Sequence, residues 1–151
     1  MPPLKTRQCF VRSATLEGIR ALPVTVEVNV GSGLPGIQIV GLADSSVSEA
    51  RFRVKLALRA SGFTIVANLS PSCLRKTGTG FDLAIAVGIL VCTGQLDPSF
   101  VEKRIFIGEI SLDGSVRRVG GLLAYAGLAH QEQFELVTGM TEENLSCLCE
   151  D

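Results

Sequence analysis

The chain has 151 residues, 46% of them hydrophobic and 19% charged, which is enough apolar material for one core and too much for a disordered tail. Aromatics are only 5% and Trp is absent, so Val, Ile, Leu and Ala must build that core. A formal net charge of -1 excludes nucleic-acid binding by bulk charge and leaves only a local basic face to be argued.

The longest apolar run, Leu83–Cys92, is shorter than the roughly 20 residues that span a bilayer. Residues 1–7 contain no apolar segment of the secretory type, so neither membrane insertion nor export is expected. Cys9, Cys73, Cys92, Cys147 and Cys149 are scattered and odd in number, which suits reduced thiols and a cytoplasmic location. Cys147 and Cys149 form a single C-x-C pair far from the one histidine, His130, so a zinc site is not expected.

In chain order, Cys9–Leu16 and Val24–Val30 read as strands, the second with strict alternation of Val against Thr25, Glu27 and Asn29. Residues 31–36 are turn chemistry and Ile37–Val40 returns as a short strand, so the three predict an antiparallel meander. A helix is expected over 46–61, with Ser46 and Glu49 at capping-box spacing and Gly62 as its stop. Val47, Ala50, Val54, Ala57, Leu58 and Ser61 share one stripe, while Phe52 and Leu56 lie nearly opposite, predicting contact on both sides.

Thr64–Leu69 is the next strand, followed by a loop over 70–80. A helix over 82–93 is apolar nearly all round and must be central, with Asp82 as its N-cap. Residues 105–111 and 115–119 predict a hairpin through Asp113-Gly114. Gly120-Gly121 opens a helix to about Ala129, Phe134–Val137 is a strand and 142–147 a weak last helix. No repeat or long linker appears, so residues 1–151 read as a single α+β domain with helices packed on a mixed or mainly antiparallel sheet.

Four segments then appear in order: residues 33–42 (GLPGIQIVGL); residues 49–54 (EARFRV) with Ser61-Gly62; residues 68–71 (NLSP) with 76–86 (KTGTGFDLAIA); and residues 108–114 (GEISLDG) with 119–122 (VGGL). Together they cover about residues 8–130 and resemble the N-terminal domain of the ComM/YifB family of magnesium-chelatase-like AAA+ ATPases. The 132–151 tail fits that pattern less well. The resemblance implies a ribosomal-protein-S5-domain-2-like fold, shared with the Lon protease domain.

The third and fourth segments also resemble Lon itself, in which a serine at a helix start is activated by a lysine after a Gly-Gly step. A serine hydroxyl is a poor nucleophile until a base takes its proton, so both are needed. Here the serine position falls on Gly80 and the lysine position on Tyr125, and the hydroxyl of Thr79 is displaced by one residue. The resemblance therefore implies a scaffold with no catalytic pair. The loop Lys76, Thr77, Gly78, Thr79 and Gly80 is a candidate anion cradle at a helix N-terminus, though Asp82 would oppose an anion there and a purely structural loop is favoured.

No Walker A motif occurs, so no cofactor is expected in this chain; the ATP and magnesium that the resemblance implies belong to a motor outside these residues. ComM-type proteins are hexameric helicases of DNA branch migration in competence-related recombination. The expected role is therefore a non-catalytic domain supporting ring assembly or touching DNA, with the AAA+ motor as its partner. Arg51, Lys55 and Arg59 form a basic stripe on the first helix, and Arg117 and Arg118 lie on the hairpin; these are the candidate phosphate contacts, although a solvated face is the plainer reading. The alternatives are a Lon-type ATP-dependent serine peptidase domain and a magnesium chelatase subunit.

Overall fold

A computed structural model describes residues 7–58 and 62–139. Six strands form one mixed sheet, in the spatial order β3 (Gly36–Val40), β4 (Thr64–Ser70), β2 (Arg20–Gly31), β1 (Arg7–Glu17), β5 (Arg104–Ile107) and β8 (Glu135–Thr138). The long antiparallel pair β1 (Arg7–Glu17) and β2 (Arg20–Gly31) is its centre, held in register from Arg7 opposite Val30 to Glu17 opposite Arg20. The Val24–Val30 alternation is realised as read: the four valines are buried and the residues between them half-buried.

The expected meander is incorrect at its third strand. β3 (Gly36–Val40) lies one place further out, parallel to β4 (Thr64–Ser70), which itself inserts antiparallel beside β2. The turn residues 31–36 fixed that the chain reverses, but the partner of β3 is supplied by a segment almost thirty residues later, which no local pattern encodes.

The first helical region is two pieces, α1 (Ser45–Ser48) and α2 (Ala50–Leu58). Its cap is Asp44 rather than Ser46, the carboxylate accepting from Val47 N at 2.8 Å. Val47, Ala50 and Val54 are buried as the stripe required, and Phe52 and Leu56 face outward. α3 (Asp82–Cys92) is the central helix, packed on β1 and β2. Residue Gly88 lets it lie close, since a Cβ there would stand 2.4 Å from Val28 Cγ2.

The chain after α3 passes through a 3-10 turn (Pro98–Val101) into β5 (Arg104–Ile107), parallel to β1. The expected 105–119 hairpin is divided at Gly108: β5 belongs to the main sheet, and only β6 (Glu109–Ile110) and β7 (Val116–Arg117) pair as a hairpin. α4 (Leu122–Glu132) and β8 (Glu135–Thr138), parallel to β5, complete the described chain. Successive residues of β5 serve different cores: Phe106 joins the α2/α3 cluster, and Ile105 and Ile107 join the α4 cluster with Tyr125 and Leu128. Helices therefore cover both faces of a mixed α+β sheet. The expected helix at 142–147, with Cys147 and Cys149, lies outside the described residues.

No helix among the described residues is long and apolar enough to cross a membrane.

Candidate functional site

The loop before α3 is pinned from three sides. Its strand-like start pairs with the segment after β3: Lys76 N donates to Leu42 O at 2.9 Å, and Asp44 N donates to Lys76 O at 3.0 Å. Thr77 N donates to Thr15 Oγ1 at 3.2 Å, and Gly78 N to Asp44 Oδ2 at 3.3 Å. Lys76 is fully buried, and its ammonium donates to the Pro71 carbonyl. Burial holds that ammonium below the usual lysine range. The cation and three amides of the candidate anion cradle thus already have partners within the chain, which is what a structural loop requires.

The start of α3 is tied to the β5–β6 junction. Gly108 N donates to Gly80 O at 3.0 Å and Leu83 N to Gly108 O at 3.1 Å. Thr79 Oγ1 donates to Glu109 Oε2 at 2.9 Å. Asp82 is the first helical residue, with Phe81 in the cap position, so the expectation that Asp82 caps the helix is corrected. Its fully buried carboxylate instead accepts from Arg53 Nε at 2.6 Å, Arg53 Nη2 at 3.0 Å and Ile110 N at 3.0 Å. Arg53 Nη2 also donates to Ser46 O at 2.9 Å. One ion pair therefore joins α1, α2, α3 and β6.

Sequence reasoning placed Arg53 off the basic stripe and gave it no role. The signal was present, because a lone carboxylate in so apolar a helix cannot be buried without a cation to match it. Burial raises the Asp82 carboxyl above its ordinary range, and Arg53 and the Ile110 amide pull it back. The carboxylate in turn raises the Arg53 guanidinium.

Gly80 and Tyr125, distant in sequence, line one cleft of about 230 Å³ with Leu16, Thr77, Gly78, Thr79, Val119 and Gly120. Gly80 has no side chain to offer, and a Cβ there would meet Ile107 Cγ2 at 3.3 Å. The Tyr125 phenol is buried, and burial raises it above its ordinary value, so at neutral pH it is protonated and cannot act as a base. Thr79 spends its hydroxyl on Glu109.

The basic residues do not converge on this cleft. Arg51 and Lys55 are exposed on α2, with the Arg51 guanidinium 4.7 Å from the centre of the Phe52 ring. Arg117 is exposed and lines a separate groove with Arg53, Glu109 and Asp113; Arg118 is half-buried beside the Gly120 turn. Arg59 lies outside the described residues.

This geometry defines a class: an α+β domain in which a glycine-rich loop and a Gly-Gly helix start face each other across a small cleft. The chain matches the family described as subunit ChlI of Mg-chelatase over residues 26–142, and belongs to that Mg-chelatase-like family. It is similar to the competence protein ComM of Haemophilus influenzae, 37% identical over 147 residues and covering 94% of this chain but 29% of ComM. It is also similar to YifB of Salmonella typhimurium, 41% identical over 122 residues, covering 78% of this chain and 24% of YifB. YifB of Escherichia coli is 36% identical over 140 residues, covering 89% and 28%. The chain thus spans less than a third of the length of these relatives.

Proposed function

We propose that the chain is a non-catalytic accessory domain, of ribosomal-protein-S5-domain-2-like and Lon-protease-like fold, within an AAA+ ATPase of ComM/YifB type. In this reading ATP and magnesium are handled by the motor of the whole protein. The domain contributes contacts between subunits of a hexameric ring, or contacts to DNA, during branch migration in competence-related recombination.

The observation that carries the reading is the Gly80–Tyr125 cleft. Gly80 and Tyr125, the positions to which the Lon resemblance assigns nucleophile and base, line this cleft and offer a glycine and a protonated phenol. The likeness to a competence protein supports the process.

The test is an electrophoretic shift on branched DNA and a sizing experiment, with the domain alone and joined to its motor. Loss of ring assembly or of DNA binding on deleting the domain from a full-length protein is expected. Unchanged assembly, binding and translocation would sink the proposal.

A Lon-type peptidase is the second reading, favoured only by the Thr79–Glu109 hydroxyl–carboxylate contact. That bond turns the hydroxyl toward β6. Cleavage of an unfolded protein, abolished by Thr79→Ala, would restore it. The family description favours a third reading, metal insertion into a porphyrin, for which porphyrin binding by the chain would speak.

A further inference from the structure

Two of the cysteines meet across the β1–α3 interface, away from the cleft. Cys9 is on β1, where its cross-strand partner on β2 is Val28. Cys92 is the last residue of α3, and its Sγ lies 3.5 Å from the Val28 carbonyl oxygen, to which the thiol donates. The helix end thus sets one sulfur over the strand pair that carries the other, and both cysteines open onto the same groove.

Both are largely buried, at 7% and 2% exposure, yet both line an open groove of about 520 Å³ with Arg7, Phe10, Val91 and Pro98. A small uncharged oxidant can enter such a groove. Nothing in the proposed role uses these sulfurs.

We infer that Cys9 and Cys92 form a thiol oxidation site that takes a hydroperoxide and closes a disulfide between β1 and α3. The two sulfurs differ in a way that assigns their parts. The neighbouring Cys92 side chain holds the Cys9 thiol below its ordinary value against the effect of burial. Cys92 itself is pushed up, first by its contact with Cys9 and then by burial. Cys92 keeps its proton on the Val28 carbonyl and is the more deeply buried of the two, so Cys9, the more accessible sulfur, attacks and Cys92 resolves.

In the first step the Cys9 thiolate attacks the peroxide. A sulfur–oxygen bond forms, the oxygen–oxygen bond breaks, and the departing alkoxide or hydroxide takes up a proton. In the second step the Cys92 sulfur attacks the Cys9 sulfenic acid. The sulfur–sulfur bond forms, and the hydroxyl leaves with the Cys92 proton as water. Two thiols are oxidised by two electrons in total and one peroxide is reduced, giving an alcohol (or water) and water.

The exposed Cys73 is an internal comparison, since any unselective oxidant reaches it first. The folded chain is treated with hydrogen peroxide, its remaining thiols are alkylated, and the digest is mapped by mass spectrometry. The expected product is a Cys9–Cys92 cross-linked peptide, with Cys9 consumed several-fold faster than Cys73. Cys92→Ser should stop the reaction at a Cys9 sulfenic acid that a cyclic dione probe captures. Cys9→Ser should leave Cys92 reduced.

The wild-type map is decisive by itself if either variant fails to fold. Oxidation of Cys73 while Cys9 and Cys92 stay reduced would overturn the inference. So would a cross-link seen only after denaturation, or one joining Cys9 to Cys73, Cys147 or Cys149.

Discussion

At the scale of single residues the described chain rests on two buried charges, and they behave differently. Asp82 is matched: two guanidinium bonds and one amide bond compensate a carboxylate with no exposure at all. Removing only the cation should therefore be far worse than neutralising the acid. Arg53→Met should cost about 3–5 kcal/mol in urea unfolding, because it leaves an uncompensated buried carboxylate. Asp82→Asn should cost less, since the amide oxygen can still accept from Ile110 N and the partly exposed Arg53 can turn to water. A smaller loss for Arg53→Met than for Asp82→Asn would contradict this account. Lys76 has only the Pro71 carbonyl as its hydrogen-bond partner among the described residues. Its folded-state value is depressed by burial, so below 10.5 the unfolded chain holds the proton more tightly than the folded one. The cost of burying that ammonium is fully present below the folded value and is relieved as pH rises through it toward 10.5. Stability attributable to Lys76 should rise with pH in that window. Lys76→Met should flatten the slope when unfolding midpoints are compared at neutral pH and near the ordinary lysine value of about 10.4.

At the scale of elements, α3 decides how tightly the layers close. Its sequence is apolar all round, and that composition alone identified it as the central helix. Its closeness to the sheet, however, comes from one missing side chain. A Cβ on Gly88 would sit 2.4 Å from Val28 Cγ2 and 3.4 Å from Val11 Cγ2, both on stiff, fully buried valines. Gly88→Ala should lift the helix and cost about 1–3 kcal/mol despite the better helix propensity of Ala. A neutral or stabilising Gly88→Ala in denaturant unfolding would show that the helix–sheet gap can relax. Elements with a local signature were legible in this way: the alternating β2, the amphipathic α2 and the all-apolar α3. What sequence could not supply were pairings set at long range. β3 looked like the third strand of a meander because its turn is adjacent, yet its hydrogen-bond partner is β4. The 105–119 hairpin looked continuous because Gly108 resembles any strand glycine. In the fold it bonds to Gly80 and Leu83, and its missing Cβ leaves room for Val116 Cγ1 at 2.8 Å. Asp82 looked like a cap because caps are local, whereas its partner Arg53 stands on another helix.

At the scale of the whole molecule, the candidate site divides along the same line. Gly80 and Tyr125 were paired by resemblance alone, and they do line one cleft. The basic residues were grouped by helical spacing, and the fold keeps Arg51 and Lys55 on α2 apart from the Arg117 groove. What α2 presents outward is mixed: Phe52 and Leu56 are 56% and 58% exposed, beside the exposed Arg51 and Lys55. An apolar pair at successive helical turns suits a protein surface, while a lysine and an arginine suit phosphate, so the two proposed contacts can be separated on one helix. Phe52→Ser with Leu56→Ser removes no buried contact and should leave unfolding of the chain within about 0.5 kcal/mol. In a full-length protein carrying this domain, the same pair should weaken ring assembly measured by light scattering. Arg51→Ala with Lys55→Ala should instead leave assembly intact and lower DNA affinity, with a shallower dependence on salt because fewer counterions are released. If the apolar pair leaves assembly intact and the basic pair leaves the salt slope unchanged, α2 is a solvated face. The accessory role would then have to run through the Arg117 groove or the Gly80 cleft.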